Sequence, residues 1–533
     1  MLIRSLIIFI MTATLTFTSQ AQSMTERVEN VNISSTRAQK LGTTIPVRDI
    51  IKKRNEISRV KKDAKKRLKK VPDNFKGRRS TGNAVHPELE HQGPDRLRQK
   101  TIPKPTRKIL SDPIVNRDGL SSGFGSPSDP TGDVSDQYYV QAINSTQVAV
   151  YDLNGTMIDQ FPMMDLWSQF GEQSLGDPII IFDETENRWI LTEFTGPANL
   201  LVAISDTNDP LGSYTAFNFS TPNFPDYPKY SLSPEALVVT TNEQGPGAVH
   251  QYFLNKQELM AGADEVTLIR IEIEGNTDTE AGFYVTTPVD LNGANAPFDI
   301  MPITLALNDS SWAGGPAQDQ IELYTFDLDW VVPANSTIDR TSVIIAPFDS
   351  FPCSALSFGF HCVPQQAGAG LDALPELILN VPHQRNFGTH ESLVFNFITD
   401  VTDGDNLSGL RWVELRRTEG TGWSLFQEGT FAPADGLDRY MGGIAMDDGG
   451  SIALAYNVSS EDEFVGIRYT GRFATDPLGV MTVPEVTAVD GFGPINSGGR
   501  FGDYTQMSVE PFGGNQFWFT GEYAGPGLSL IHI

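Results

Sequence analysis

The sequence predicts an all-β chain, and three observations carry the prediction. From about Asp112 onward, short runs rich in Val, Ile, Tyr, Phe and Trp are punctuated by Gly, Asp, Asn and Pro, and no long helical period survives. Several runs pair as hairpins across turn residues. YYVQAINSTQVAVYD turns at Asn144-Ser145, IIIFDETENRWILTEF around Asp183 to Asn187, GGIAMDDGGSIALAYN at Asp447 to Gly450, and MSVEPFGGNQFWFTGEY at Gly513-Gly514. The pattern runs for more than 400 residues, too long for one sandwich and suited to radial repetition of small sheets.

Weak repeats point the same way. D-P-x-G recurs at Asp129, Asp209 and Asp476, and segment starts near 133, 177, 226, 300, 390, 440 and 503 give a period of roughly 40–60 residues. The expectation is therefore a β-propeller of seven four-stranded antiparallel blades over residues 112–527.

Charge divides the chain. Residues 1–110 hold 25 Lys and Arg against 9 Asp and Glu, a net +16, whereas the remaining 423 hold 14 against 57, a net −43. So acidic a main domain repels phosphate, which excludes nucleic acid as its partner.

Residues 1–21 read as a removable export signal. Arg4 supplies the positive start, Leu6 to Phe17 a short apolar run, and Ser19-Gln20-Ala21 the small residues of a cleavage site. About a dozen apolar residues are too few to span a bilayer. The expected location is secreted, extracellular or cell-surface, with the periplasm as the alternative.

Residues 22–111 form a basic, low-complexity arm. Ile57, Val60, Ala64, Leu68 and Val71 recur at helical spacing on a basic background, but the apolar stripe is thin. The arm is expected to be mostly disordered or partly helical and to contact an anionic surface. LSLIHI at 528–533 is read as an artefactual or truncated end.

The two cysteines, Cys353 and Cys362, are expected to form one structural disulfide. Two free thiols, or half a metal site with His361, are the alternatives.

GDPIIIFDETENRWILTEF, VAISDTNDPLGSY, PDYPKYSLSPEALVVT, RYMGGIAMDDGGSIALAYNVSS, IRYTGRFATDPLG and RFGDYTQMSVEP resemble secreted bacterial β-propeller proteins of the sialidase-like superfamily, over roughly residues 112–525. The resemblance implies the fold more than any activity. An S-x-D-x-G-x-x-W aspartate box and an early Arg-Ile-Pro motif are absent, so it does not imply sialic-acid hydrolysis.

In a propeller the innermost strands line a central channel, and the blade phasing brings a set of polar residues to one funnel. Asp133, Asp177, Asp226, Tyr227, Lys229, Glu391 and Arg500 are the candidate binding residues, and His390, Arg439, Tyr440, Asp503 and Tyr504 the candidate catalytic ones. Arginine offers a planar fork to a carboxylate or sulfate, and aromatic faces pack on sugar rings. For any single position the competing explanation is a turn residue or a self-paired channel charge.

Two chemistries fit. A polysaccharide lyase could use His390 as base, Arg439 or Arg500 to neutralise a uronate, and Tyr440 or Tyr504 as acid. A glycoside hydrolase needs two carboxyl groups, about 5 Å apart if retaining and about 6.5–9.5 Å if inverting, drawn from Asp133, Asp177, Asp226, Glu391 and Asp503. Asp400, Asp403 and Asp405 form an acidic turn that could take calcium, although the spacing misses the EF-hand pattern; no other cofactor is expected. No G-x-S-x-G elbow, phosphate-cradling loop, H-E-x-x-H or dinucleotide fingerprint occurs. The expected function is recognition of an extracellular glycan or surface polymer at the funnel, with a carbohydrate-active enzyme using the same funnel as the alternative.

Overall fold

A computed structural model describes residues 23–29, 31–60, 93–102, 113–121, 127–144, 147–243, 248–274, 285–312, 315–350, 352, 361–402, 406–496, 500–511 and 513–525. The export signal, Ala64, Leu68, Val71, Cys353, the Cys362 side chain, Asp403, Asp405 and residues 528–533 lie outside that set.

The described chain is nearly all β and builds a propeller, one antiparallel sheet after another around a common centre. The first sheet, of residues 131–162, comprises Thr131–Val134, Tyr138–Ile143, Gln147–Asp152 and Met157–Pro162 in that order. The sheets of residues 176–220, 226–274 and 438–489 repeat the four-strand meander. Residues 287–344 and 383–431 form two further sheets with short accessory strands, Thr287–Pro288 and Asp290–Asn292. Gln506–Val509 and Phe517–Thr520 form a two-stranded sheet next to the first.

Packing explains why these strands read as apolar runs rather than strict alternations. Each sheet is sandwiched between its neighbours, so both faces are buried and both want apolar side chains. All ten residues of Glu391–Asp400 are buried. The cores lie between adjacent sheets: Val148, Phe161, Trp189 and Leu201 join the first two. Phe253, Ile271, Phe326 and Ile338 join 226–274 to 287–344, and Leu305, Leu323, Phe395 and Val413 join 287–344 to 383–431. The circle closes where Trp518 of the last sheet stacks on Tyr139 of the first, with ring centroids 4.9 Å apart and an interplanar angle of 16°.

The arm departs from expectation. Asn32–Thr43 is a strand that lies between the outer strands of two adjacent sheets, Tyr214–Ser220 and Glu265–Glu274, and fuses them into one nine-stranded sheet. Ser23–Arg27 pairs antiparallel with Thr337–Ile344, and Arg98–Gln99 parallel with Ser424–Phe431. Helix Val47–Val60 buries Val47 and Ile51 against Val140, Phe161 and Trp167. The three strands are held by backbone pairing to open sheet edges, a driving force that composition does not display. Charge complementarity adds Arg27 to Asp339 at 2.9 Å and Arg54 to Asp165 at 2.5 Å. The described helix includes Ile57 and Val60 of the predicted stripe, and the rest of that stripe lies outside the described residues.

Two phasing errors have consequences for the site. The sheet of residues 383–431 begins at His383–Asn386, not near 390, and Asp209 and Asp476 of the D-P-x-G repeat lie in turns before the outermost strands rather than at strand starts. Only Asp129 of that repeat precedes an innermost strand. Among the described residues, no helix is long and apolar enough to cross a membrane.

Candidate functional site

The candidate site is one mouth of the channel, where the innermost strands begin. A backbone device recurs there. Asp129, Asp177, Tyr227 and Met441 adopt positive φ values of 43°, 50°, 53° and 48°, and the next residues are Pro130, Pro178, Pro228 and Gly442. In three of these strands the pairing register shifts at the same point, between Gly176 and Ile179, between Asp226 and Lys229, and between Tyr440 and Gly443. Such a kink re-aims a side chain, and each left-handed non-glycine residue costs about 1–3 kcal/mol, which the surrounding sheet must hold.

The kinks collect a charged cluster from segments far apart in sequence. Tyr504 donates its hydroxyl hydrogen to Asp177 Oδ2 at 2.9 Å. Arg500 is ion-paired with Asp503, whose backbone N–H donates to Asp129 Oδ1 at 3.1 Å. Asn144 Nδ2 donates to Asp129 Oδ2 at 2.5 Å. Lys229 is buried: its Nζ donates to the Asp503 carbonyl at 3.3 Å and lies 3.6 Å from the Tyr504 ring centroid and 4.3 Å from that of Tyr227. The two tyrosine rings are 5.3 Å apart. Beside them Glu522 accepts from Ser128 Oγ at 2.5 Å and from the Gly502 backbone at 3.2 Å.

Burial sets the protonation of this cluster. Desolvation, reinforced by Asp503 and Asp177, pushes Asp129 well above the usual carboxylate range. Asp177 is raised to about 6, chiefly by desolvation, with the Tyr504 hydrogen bond opposing it. Glu522 rises to about 7 for the same first reason. Desolvation lowers Lys229 to about 7, although Asp129, Asp503 and Asp177 pull the other way. Arg500 stays charged beside Asp503, and its side chain is 40% exposed at the rim.

Below the mouth the channel remains polar. Asp133 accepts from the Phe182 backbone at 2.8 Å and Asp290 from the Leu232 backbone at 2.8 Å, so carboxylates latch neighbouring inner strands together. Glu184 likewise accepts from Gly293 at 2.9 Å. Burial raises all three to about 7 and lowers His383, hydrogen-bonded to Asn292, to about 4.

The structure thus brings together Asp177, Tyr227, Lys229, Arg500, Asp503 and Tyr504 of the predicted set, with Asp133 deeper in the same channel. Asp226 sits half-buried beside Tyr227, opposite Asn242. The others lie elsewhere. His390 is on the turn after His383–Asn386, stacked on Phe387 and hydrogen-bonded to Thr389, because that blade starts earlier than its spacing suggested. Glu391 pairs with Arg417 and accepts from the Phe298 backbone at 2.7 Å. Arg439 is wholly buried between Asp435 and Glu485, at 2.7 and 2.9 Å. Tyr440 hydrogen-bonds Ser459 at 2.8 Å. His390 is held within its own turn, Arg439 and Tyr440 within the sheet of residues 438–489, and Glu391 by Arg417 of its own sheet and the Phe298 backbone.

Asp400 caps its own turn, accepting from the Thr402 backbone and hydroxyl, both at 2.9 Å. Among the described residues no three His, Cys, Asp or Glu side chains are grouped to hold a metal ion. Sequence reasoning missed Asp129, Glu522, Asp290 and His383. Asp129 had a usable signal, the Asp-Pro dipeptide it shares with Asp177-Pro178.

No family model and no curated protein sequence matches the chain. Among solved structures it is similar to a Penicillium chrysogenum alpha-L-arabinanase complexed with arabinobiose, at 12% identity and a TM-score of 0.31, over 56% of this chain and 75% of the other. A cobalt-substituted Synechocystis ACO is similar at 12% identity and a TM-score of 0.37, over 88% and 93%. The WD40 domain of SCAP from fission yeast is similar at 10% identity and a TM-score of 0.31, over 74% and 80%.

Proposed function

We propose that this chain is an exported, seven-bladed propeller of the sialidase-like kind that binds an extracellular glycan or surface polymer at the channel mouth. The supporting observation is the convergence of Asp177, Tyr227, Lys229, Arg500, Asp503 and Tyr504 from separate blades onto one rim. Hydroxyl-rich ligands are held by such mixed donors and acceptors, and Arg500 is exposed enough to exchange Asp503 for a ligand carboxylate. The charges are largely paired with one another, which suits a preformed binding surface. The basic segment beyond helix Val47–Val60 would add salt-sensitive attachment to an anionic envelope, and Cys353 and Cys362 would staple the loop between two blades.

One observation favours the carbohydrate-active alternative. Asp129 and Asp177 belong to one cluster and are both raised, Asp177 only to about 6, so at neutral pH the cluster can hold both a proton donor and a carboxylate. A single pair of assays separates the readings. Binding to immobilised polygalacturonate and arabinan should be saturable and weakened about tenfold by Arg500→Ala, roughly 1.4 kcal/mol, with no release of reducing ends. Release of reducing ends lost in Asp177→Asn would establish the enzyme instead. Failure to bind either polymer, with no release, would overturn both.

A further inference from the structure

Lys229 and Tyr504 of the mouth also line the cavity below it, with Thr131, Ile179 and Gln506 around them. The Lys229 side chain is buried, and an ammonium in that position would want three acceptors. Among the described residues its Nζ makes a single hydrogen bond, at 3.3 Å, to the Asp503 carbonyl. The ring faces of Tyr227 and Tyr504 lie 4.3 and 3.6 Å from Nζ and favour the cation, but weakly compared with lost hydration. Desolvation wins, and the amine titrates near neutrality, at about 7. A lysine that is neutral in much of the population at working pH, inside a cavity and beside carboxyls able to carry protons, is set up as a nucleophile towards carbonyl carbon.

We propose that Lys229 captures the open-chain aldehyde of a reducing sugar as an imine within the channel, an assignment that rests on the glycan reading of the mouth. The Nζ lone pair attacks the carbonyl carbon, and the oxygen takes a proton from a neighbouring carboxyl to give a carbinolamine. The nitrogen returns one proton to the carboxylate, the carboxyl so formed protonates the hydroxyl, which leaves as water, and the carboxylate takes back the last N–H proton, leaving the imine. Amine plus aldehyde gives imine plus water, and no oxidant or reductant is required. The reaction is reversible, so the lysine retains a polymer end rather than consuming it.

The test uses the full chain, glycolaldehyde as probe and sodium cyanoborohydride to fix the adduct, with peptide mapping by mass spectrometry. At pH 7.5 Lys229 should be labelled at least tenfold faster than the exposed Lys52 and Lys53, and that advantage should shrink at pH 5. Lys229→Met, checked for native circular dichroism, should lose the fast adduct without another lysine gaining it. Labelling of Lys52 and Lys53 with Lys229 untouched overturns the assignment in wild-type protein alone, whatever the variant does. Binding of borohydride-reduced oligosaccharides, which carry no aldehyde, is measured in parallel. If that binding persists and is Arg500-dependent while Lys229 stays unlabelled, the imine fails and the glycan site stands; loss of both removes both.

Discussion

At the residue scale, the ring is closed by one aromatic contact and one charged cluster. Trp518 is 2% exposed and packs against Tyr139, Val134 and Tyr151, so it joins the last sheet to the first. Trp518→Ala should cost about 3–5 kcal/mol, the range for truncating a large buried aromatic, as measured by urea unfolding. A loss below about 1 kcal/mol would mean that the seam repacks freely. The cluster was partly legible beforehand for a definite reason. Asp177, Asp503 and Tyr504 each stand at the start of an innermost strand, where a turn-forming residue before a β-rich run marks the channel mouth. Arg439 and Glu391 carry the same sequence signal but are buried in ion pairs, Arg439 with Asp435 and Glu485 and Glu391 with Arg417. Sequence alone does not reveal that, because one residue of strand phase moves a side chain from channel to core.

At the scale of elements, the blades were legible and the arm was not. Blade strands bury both faces and announce themselves as apolar runs, as Arg188–Thr195 and Glu391–Asp400 do. Ser23–Arg27 is exposed at every position, and Asn32–Thr43 buries only Ala38. What holds them is the ladder itself: residues 32–39 pair with Glu265–Glu274 and residues 39–43 with Tyr214–Ser220. The polar, basic composition that reads as disorder is what an outermost strand needs when its faces meet water and acidic neighbours, as with Asn32 and Glu272 at 2.7 Å. Hydrogen exchange should therefore show strong amide protection in Ile33 to Lys40. Deleting residues 23–60 should lower the melting temperature and promote association, because it uncovers three outer edges. A deletion variant that stays monomeric with an unchanged melting temperature would show the arm to be a passenger.

For the whole molecule, buried carboxyls make stability depend on pH in an unusual direction. Desolvation raises Asp133, Glu184, Asp290 and Glu522 to about 7, Asp177 and Asp438 to about 6, and Glu193 to about 8. In the unfolded chain these groups titrate near 4. Between about pH 4 and pH 8 the native state thus binds protons that the unfolded state has released. Stability must then fall as pH rises through that window. Four groups lowered by burial oppose the trend, His383, His250, His390 and Lys229. His383, lowered to about 4, favours the folded state as pH climbs from 4 to about 6.5, and Lys229, lowered to about 7, does so above 7. The three imidazoles act only below about pH 6.5 and the amine only above about 7, so the seven carboxyls dominate from pH 5.5 to 8. Self-repulsion in a domain of net charge −43 acts in the same sense. The first thermal transition should be higher at pH 5.5 than at pH 8 by on the order of 5 °C, with most of the fall between pH 6 and 7.5. Glu193→Gln is the discriminating variant. Trp167 Nε1 and Ser174 Oγ both donate to this carboxyl, at 2.8 and 2.6 Å, and an amide oxygen accepts as well as the protonated acid does. The substitution should leave pH 5.5 stability nearly unchanged and reduce the loss at pH 8. A melting temperature that is flat or rises from pH 5.5 to 8 would contradict the account, since general surface repulsion alone cannot produce a dependence that Glu193→Gln relieves.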